Sequence, residues 1–164
     1  MNSSGAIGTS FTRYKRAESV VVVVYTAAGE TLLLKRLRPV FWQSITGSLE
    51  WPDETPADAA RREVREETGI DATDGWTDWK VSRYFPILPE YQDQFVPGTR
   101  MNEEHMFSLE IPHRCPVTLM VDEHSDSCWL SLMDGRSLVW SWTNRAALDQ
   151  VVGSWARTIM GCSG

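Results

Sequence analysis

Glu63, Glu66 and Glu67 fall within the run REVREETG at residues 62–69. On a helix, positions three and four apart are surface neighbours, roughly 5–6 Å between Cβ atoms, so the three carboxylates converge on one face. Crowded like charges cost stability. A hard divalent cation such as Mg²⁺, which takes oxygen ligands, removes that cost and brings metal-assisted chemistry with it. The plainer reading of the same run is a solvated acidic helix in which Arg61, Arg62 and Arg65 answer the glutamates at helical spacing.

The elements that must hold these groups are well marked. Thr55 reads as an N-cap, Pro56 stands where a missing N–H is harmless, Asp58 is a capping-box partner, and Gly69 can take the left-handed conformation that stops a helix. The spacing therefore predicts a helix over 56–68, with Ala57, Ala60 and Val64 as its packing stripe. Gly47 precedes it in a loop, where a residue without Cβ lets backbone approach a ligand. Residues 18–26 and 31–37 read as strands of a hairpin turned by Ala27-Ala28-Gly29-Glu30. A short strand is expected at 41–45, further strands at 77–85, 105–111 and 127–132, and a helix from Thr143 to about Ile159 carrying Ala147, Leu148, Val151, Val152 and Trp155 on one face. The Pro- and Gly-bearing stretch 86–104 reads as an irregular segment long enough to serve as a lid. This order suggests an α/β fold with a mixed β-sheet sandwiched between α-helices.

Composition limits what such a site can serve. With 164 residues the chain can bury roughly 70% of its unfolded surface, enough for one core. We expect a flexible leader at 1–12 and a single domain over 13–164. A net charge of −6 argues against a groove for a nucleic acid polymer, which needs clustered Lys and Arg. Cys115, Cys128 and Cys162 are odd in number and lack metal-ligand spacing, which fits a reducing compartment and a cytoplasmic location. The aliphatic run Val20–Val24 is far too short to span a membrane, so no membrane partner is expected. The oligomeric state is left open.

The full string GSLEWPDETPADAARREVREETGI at 47–70 resembles the signature of the Nudix hydrolases. Six residues separate Gly47 from Glu54 where that pattern has five, so one residue is inserted at Trp51-Pro52-Asp53 ahead of an unshifted helix. YKR at 14–16, LLLKR at 32–36, FWQSITGS at 41–48, PGTRMNEEHMF at 97–107, VDEH at 121–124 and SWTNR at 141–145 extend the likeness. The ordered set is similar to the bacterial dihydroneopterin triphosphate pyrophosphatases, a Nudix subgroup of folate biosynthesis. The resemblance implies a Nudix fold and assigns Glu63 and Glu67 to Mg²⁺, with Mn²⁺ as a substitute and Glu66 as a further ligand or base. It places Arg62 as the residue orienting a neighbouring carboxylate and Glu123 as a metal ligand or base arriving from a distant loop. Lys15, Arg36, Thr46 and Ser141 match substrate contacts, and Phe85 is a candidate for stacking on the pterin. Read on its own, His124 is structural, since one histidine without a partner makes a poor site.

The chemistry these roles imply is hydrolysis of a small-molecule triphosphate. Carboxylate-held Mg²⁺ neutralises phosphate charge and acidifies a water, Glu66 or Glu123 takes the proton, and pyrophosphate departs. Dihydroneopterin triphosphate is the expected substrate. A broad nucleoside triphosphate pyrophosphatase acting on dATP or damaged nucleotides would share the metal site and differ in the base pocket. A non-catalytic Nudix-fold sensor is the third alternative.

Overall fold

The computed structural model describes residues 13–161; the expected leader at 1–12, Cys162 and the last two residues lie outside them. The elements are β1 (Glu18–Thr26), β2 (Glu30–Arg36), β3 (Trp42–Gln43), β4 (Ile45–Ser48), α1 (Pro56–Thr68), β5 (Trp76–Pro86), a 3-10 helix (Pro89–Gln94), β6 (Met101–Ile111), β7 (His124–Ser131), α2 (Leu132–Leu138) and α3 (Trp142–Gly161). The fold is α/β, a mixed sheet with helices on both faces. Strand order runs β3-β2-β1-β6-β5, with β4 paired to β1 and β7 to β2. β1 pairs in parallel with β6 over the whole of β1, Glu18 opposite Glu103 through Thr26 opposite Ile111, and the other strand-to-strand pairings are antiparallel.

The unbroken valine run of β1 follows from its position between two cores. Val20, Val22 and Val24 pack with Leu32, Leu34, Ile45 and Leu109 under Ala59, Ala60 and Val64 of α1. Val21 and Val23 pack with Leu33 and Met106 under Leu132, Ala147, Leu148 and Val151 of α2 and α3. A strand buried on both faces needs no polar alternation. Burial of each such side chain stabilises by about 1.5–3 kcal/mol.

Several expectations need adjustment. Ala57 is exposed, and the buried stripe of α1 is Ala59, Ala60, Glu63, Val64, Glu67 and Thr68, so two of the glutamates share the inward stripe with the apolar residues. β6 begins at Met101, four residues ahead of expectation, because pairing with β1 and β5 carries polar residues into the sheet. The supposed lid is correspondingly shorter. Ile87 and Phe95 within it are buried, and backbone bonds Ile87 N–H to Arg100 O (2.8 Å) and Lys15 N–H to Gln94 O (2.8 Å) tie it down. The short helix α2 is additional. No helix among the described residues is long and apolar enough to cross a membrane.

Candidate metal and substrate site

The helix that carries the glutamates is fixed at both ends by its own sequence. Thr55 is extended (φ −81°, ψ 155°), and its hydroxyl accepts from the Asp58 N–H at 3.2 Å. Gly69, at φ 75°, turns its N–H back to Arg65 O. Between these caps Glu63 and Glu67, one turn apart, are 9% and 2% exposed, whereas Glu66 stays in solvent.

Gly47 makes room for the first of them. It pairs with Val20 of β1, so its missing side chain would point toward α1, where a Cβ would lie 2.0 Å from the Glu63 carboxyl carbon. Arg62 then orders the neighbourhood. It grips both oxygens of Glu54 through Nε (2.7 Å) and Nη2 (3.0 Å), and donates to Ser48 O (3.0 Å), Glu63 Oε1 (2.7 Å) and Glu66 Oε2 (3.1 Å). Glu54 Oε2 also accepts from the Glu50 N–H at 2.7 Å. That Arg62 pairing, the strongest influence on the group, holds the Glu54 carboxyl below the usual carboxylate range.

Glu123 arrives from the loop before β7. One ligand atom each from Glu67, Glu123 and His124 lies within 4.8 Å of the others. The Thr46 N–H donates to Glu67, and the charge of Arg36 is felt there too, but Glu67 Oε2 is buried without a partner. Burial pushes the Glu63 carboxyl up to about 7, against the pull of Arg62 and reinforced by Glu66 and Glu123. Burial likewise raises Glu67 well above the ordinary range, with Glu63 and Glu123 adding to it. Buried acids short of counter-charge, one with an unpartnered oxygen, are the donor set that suits a divalent cation.

A second acidic group offers a control. Glu18, Glu103 and His105 also cluster, but Arg16 donates to Glu18 (2.9 Å), His105 Nε2 meets Glu18 (3.2 Å) and Ser82 donates to Glu103 (2.7 Å). These carboxylates have partners and stand partly open to solvent. A cleft of about 480 Å³ beside His105 and Lys80 contains none of the candidate residues.

The remaining candidates divide between the two faces of the sheet. Arg36 stacks over Phe41 (5.8 Å) on the carboxylate side. Lys15 is exposed and lines a cleft of about 360 Å³ with Ser48, Glu50 and Trp51. Thr46 sits opposite Val21, which places its side chain on the α2/α3 face while its N–H serves Glu67. Phe85 is on β5, separated from β4 by β6 and β1. Ser141 accepts from the Asn144 N–H (3.1 Å) at the start of α3, and Asn144 Oδ1 accepts from the Ser44 N–H (3.0 Å), two residues before Thr46. Phe85 is paired with Asn102, which shares its face of β6 with Met106, and Ser141 precedes α3, so both belong to the opposite face from the glutamates.

Sequence reasoning missed several groups. Arg16 donates to the carbonyls of Glu50 (2.9 Å) and Glu54 (3.0 Å) and lies over Trp51 (5.4 Å), whose Nε1 donates to Tyr14 O (2.7 Å). The inserted loop is thus braced by the segment before β1, and Glu54 still reaches Arg62. His124, read alone as structural, stands beside two carboxylates. On the α2/α3 face, Glu104 Oε1, Asn144 Nδ2 and Ser44 Oγ are buried without partners. Burial raises the Glu104 carboxyl, which Thr143 and Arg83 partly offset. The signals were present in NEEH and SWTNR, but only sheet register brings them together.

Comparison with known proteins identifies the family and agrees with the fold. Residues 15–150 match the NUDIX domain family. The chain is 36% identical over 144 residues to the dihydroneopterin triphosphate diphosphatase of Escherichia coli K12, covering 85% of this chain and 94% of that one. It is equally identical over 144 residues to the Haemophilus influenzae enzyme of that name, covering 84% and 89%. The solved structure of the E. coli dihydroneopterin triphosphate pyrophosphohydrolase superposes with a TM-score of 0.76 at 37% identity, covering 84% of this chain and 95% of that one.

Proposed function

The chain belongs to the NUDIX family, and on that premise we propose that it is a Mg²⁺-dependent pyrophosphohydrolase converting dihydroneopterin triphosphate to the monophosphate and pyrophosphate in the cytoplasm. The observation that carries the reaction type is the meeting of Glu67, Glu123 and His124, with an unpartnered Glu67 oxygen and Glu63 buried one turn away on the same helix. The substrate is supported by identity to diphosphatases of that specificity along nearly their whole length.

Each residue then has a physical task. Glu63, Glu67 and Glu123 would hold the cation, which when bound would neutralise phosphate charge and acidify a water. Arg62 keeps the Glu63 oxygen turned into the cluster and clamps the loop through Glu54. Glu66, exposed and held through one oxygen by Arg62, takes the proton as the water oxygen bonds to phosphorus and the bridging P–O bond breaks. Arg36, with Lys15 from the adjoining cleft, offsets triphosphate charge. The heterocycle crosses at Thr46 to the other face of the sheet, where Phe85 stacks and Ser141, Glu104 and Asn144 meet its ring edge. A carboxylate such as Glu104 accepts from ring N–H groups, so the pocket suits an amino-oxo pyrimidine edge.

Pyrophosphate release from dihydroneopterin triphosphate, dATP and dGTP, compared at equal concentration with Mg²⁺ and with EDTA, tests this. We expect metal-dependent release with a clear pterin preference. Equal or faster turnover of a purine nucleotide moves the function to nucleotide housekeeping, and no release from any of the three removes the hydrolase reading.

A further inference from the structure

We propose that His124 supplies a nitrogen ligand to the cation held by Glu67 and Glu123, so that the ring raises the affinity of this site for Mn²⁺ more than for Mg²⁺. The inference rests on the metal-site part of the reading above and on nothing in the pterin assignment.

The backbone aims this ring. Along β7, Asp126 pairs with Lys35 and His124 with Arg36, so Ser125 is an extra residue and the register shifts there. Such irregularities re-aim a side chain beside a functional site. Ser125 and Asp126 face solvent while His124 is 2% exposed. Its N–H is satisfied by Met120 O at 2.9 Å, so the backbone needs nothing more. The ring does, since neither Nδ1 nor Nε2 has a partner. A buried polar group left so costs about 1–3 kcal/mol, and a histidine kept only for packing would find a hydrogen bond.

What lies within reach is a pair of carboxylates, one of which also carries a buried oxygen without a partner. Donor atoms within 4.8 Å of one another can close on a single ion, since ligands at about 2.0–2.2 Å stand up to roughly 4.4 Å apart across it. The donor set is then two carboxylates and an imidazole. Mg²⁺ binds through oxygen and keeps its waters, whereas an imidazole nitrogen adds affinity for first-row transition ions, and Mn²⁺ is the member of that series that also suits carboxylates.

The decisive measurement is pulsed EPR of Mn²⁺ bound to the full chain, without substrate, prepared with unlabelled and with ¹⁵N-histidine. We expect a directly coupled histidine nitrogen whose signal changes with the label and disappears in His124→Gln but persists in His105→Gln. Titration should show Mn²⁺ affinity falling about tenfold or more in His124→Gln, with Mg²⁺ affinity changed less. Absence of histidine coupling in the unmutated protein overturns the proposal without any variant having to fold, as does an unchanged Mn²⁺/Mg²⁺ affinity ratio in folded His124→Gln. Histidine coupling in a protein that leaves dihydroneopterin triphosphate intact keeps the ligand and removes the pterin. Turnover of the pterin without that coupling does the reverse.

Discussion

Helices α1 and α3 cover opposite faces of one sheet and obey opposite rules. α3 turns Ala147, Leu148 and Val151 inward, all without exposed surface, and its contribution is burial of apolar area. α1 has Ala59, Ala60 and Val64 for that purpose, but the same inward stripe carries Glu63 and Glu67. That stretch of α3 is built to be stable, although the first turn of the helix adds Asn144 Nδ2 to the buried unpartnered atoms of its own face. α1 holds acids that would be better neutral, which gives up stability for a cation-binding surface. The difference teaches that burial alone does not distinguish a core from a site; what separates them is whether buried polar atoms have partners.

The sharpest way to separate the faces is Glu67→Gln. It keeps the side-chain shape and an acceptor for the Thr46 N–H while removing a buried ionisable group, so metal-free thermal stability should hold or rise, while kcat should fall about a thousand-fold with the loss of several kcal/mol of transition-state stabilisation. Ordinary turnover would take Glu67 out of the mechanism. Leu148→Ala on the opposite face should show the inverse pattern, losing about 2–5 kcal/mol in urea melts while kcat per folded molecule stays near the original value.

Titration gives an intermediate effect confined to the α1 side. Because the folded Glu63 carboxyl sits at about 7 and the unfolded one near 4.5, its stabilising contribution is complete below pH 4.5 and is lost as pH rises through 7. In EDTA we expect that loss to be on the order of 3 kcal/mol, visible as a falling Tm. Saturating Mg²⁺ should flatten the curve, and an equal fall with and without metal would contradict the assignment. Gly47→Ala is the subtlest change. The new methyl displaces the flexible Glu63 side chain rather than backbone, so Tm should barely move while kcat falls roughly a hundred-fold, as expected for about 1 Å of misplacement.

Legibility followed the range of the interactions. α1 lies at 56–68, as its spacing predicts, because Thr55, Pro56, Asp58 and Gly69 act within one turn of the helix they end. β1 was equally plain, its valines announcing burial on both sides. The early start of β6 was hidden because Asn102 and Glu104 are buried polar residues whose places depend on Ser19 and on strands β1 and β5. α2 was missed because LMDGRSL buries only Leu132 and Gly135, too little to set a period. In the site, the glutamates of one helix could be read from their spacing. Glu123 was reached only through the family resemblance and His124 not at all, because their meeting with Glu67 depends on where β7 returns beside β2.

The bracing of the inserted loop by the segment ahead of β1 also has a mechanical meaning. Arg16 holds the Glu54 carbonyl, Glu54 holds Arg62, and Arg62 holds Glu63, so one end of the described chain communicates with the reacting groups through three successive hydrogen-bonded links. A load applied at residue 13, by a fused domain or a surface tether, would be transmitted along that linkage to a carboxylate on the other side of the loop. The attachment point an engineer would choose as remote in sequence is, for this protein, a handle on its centre.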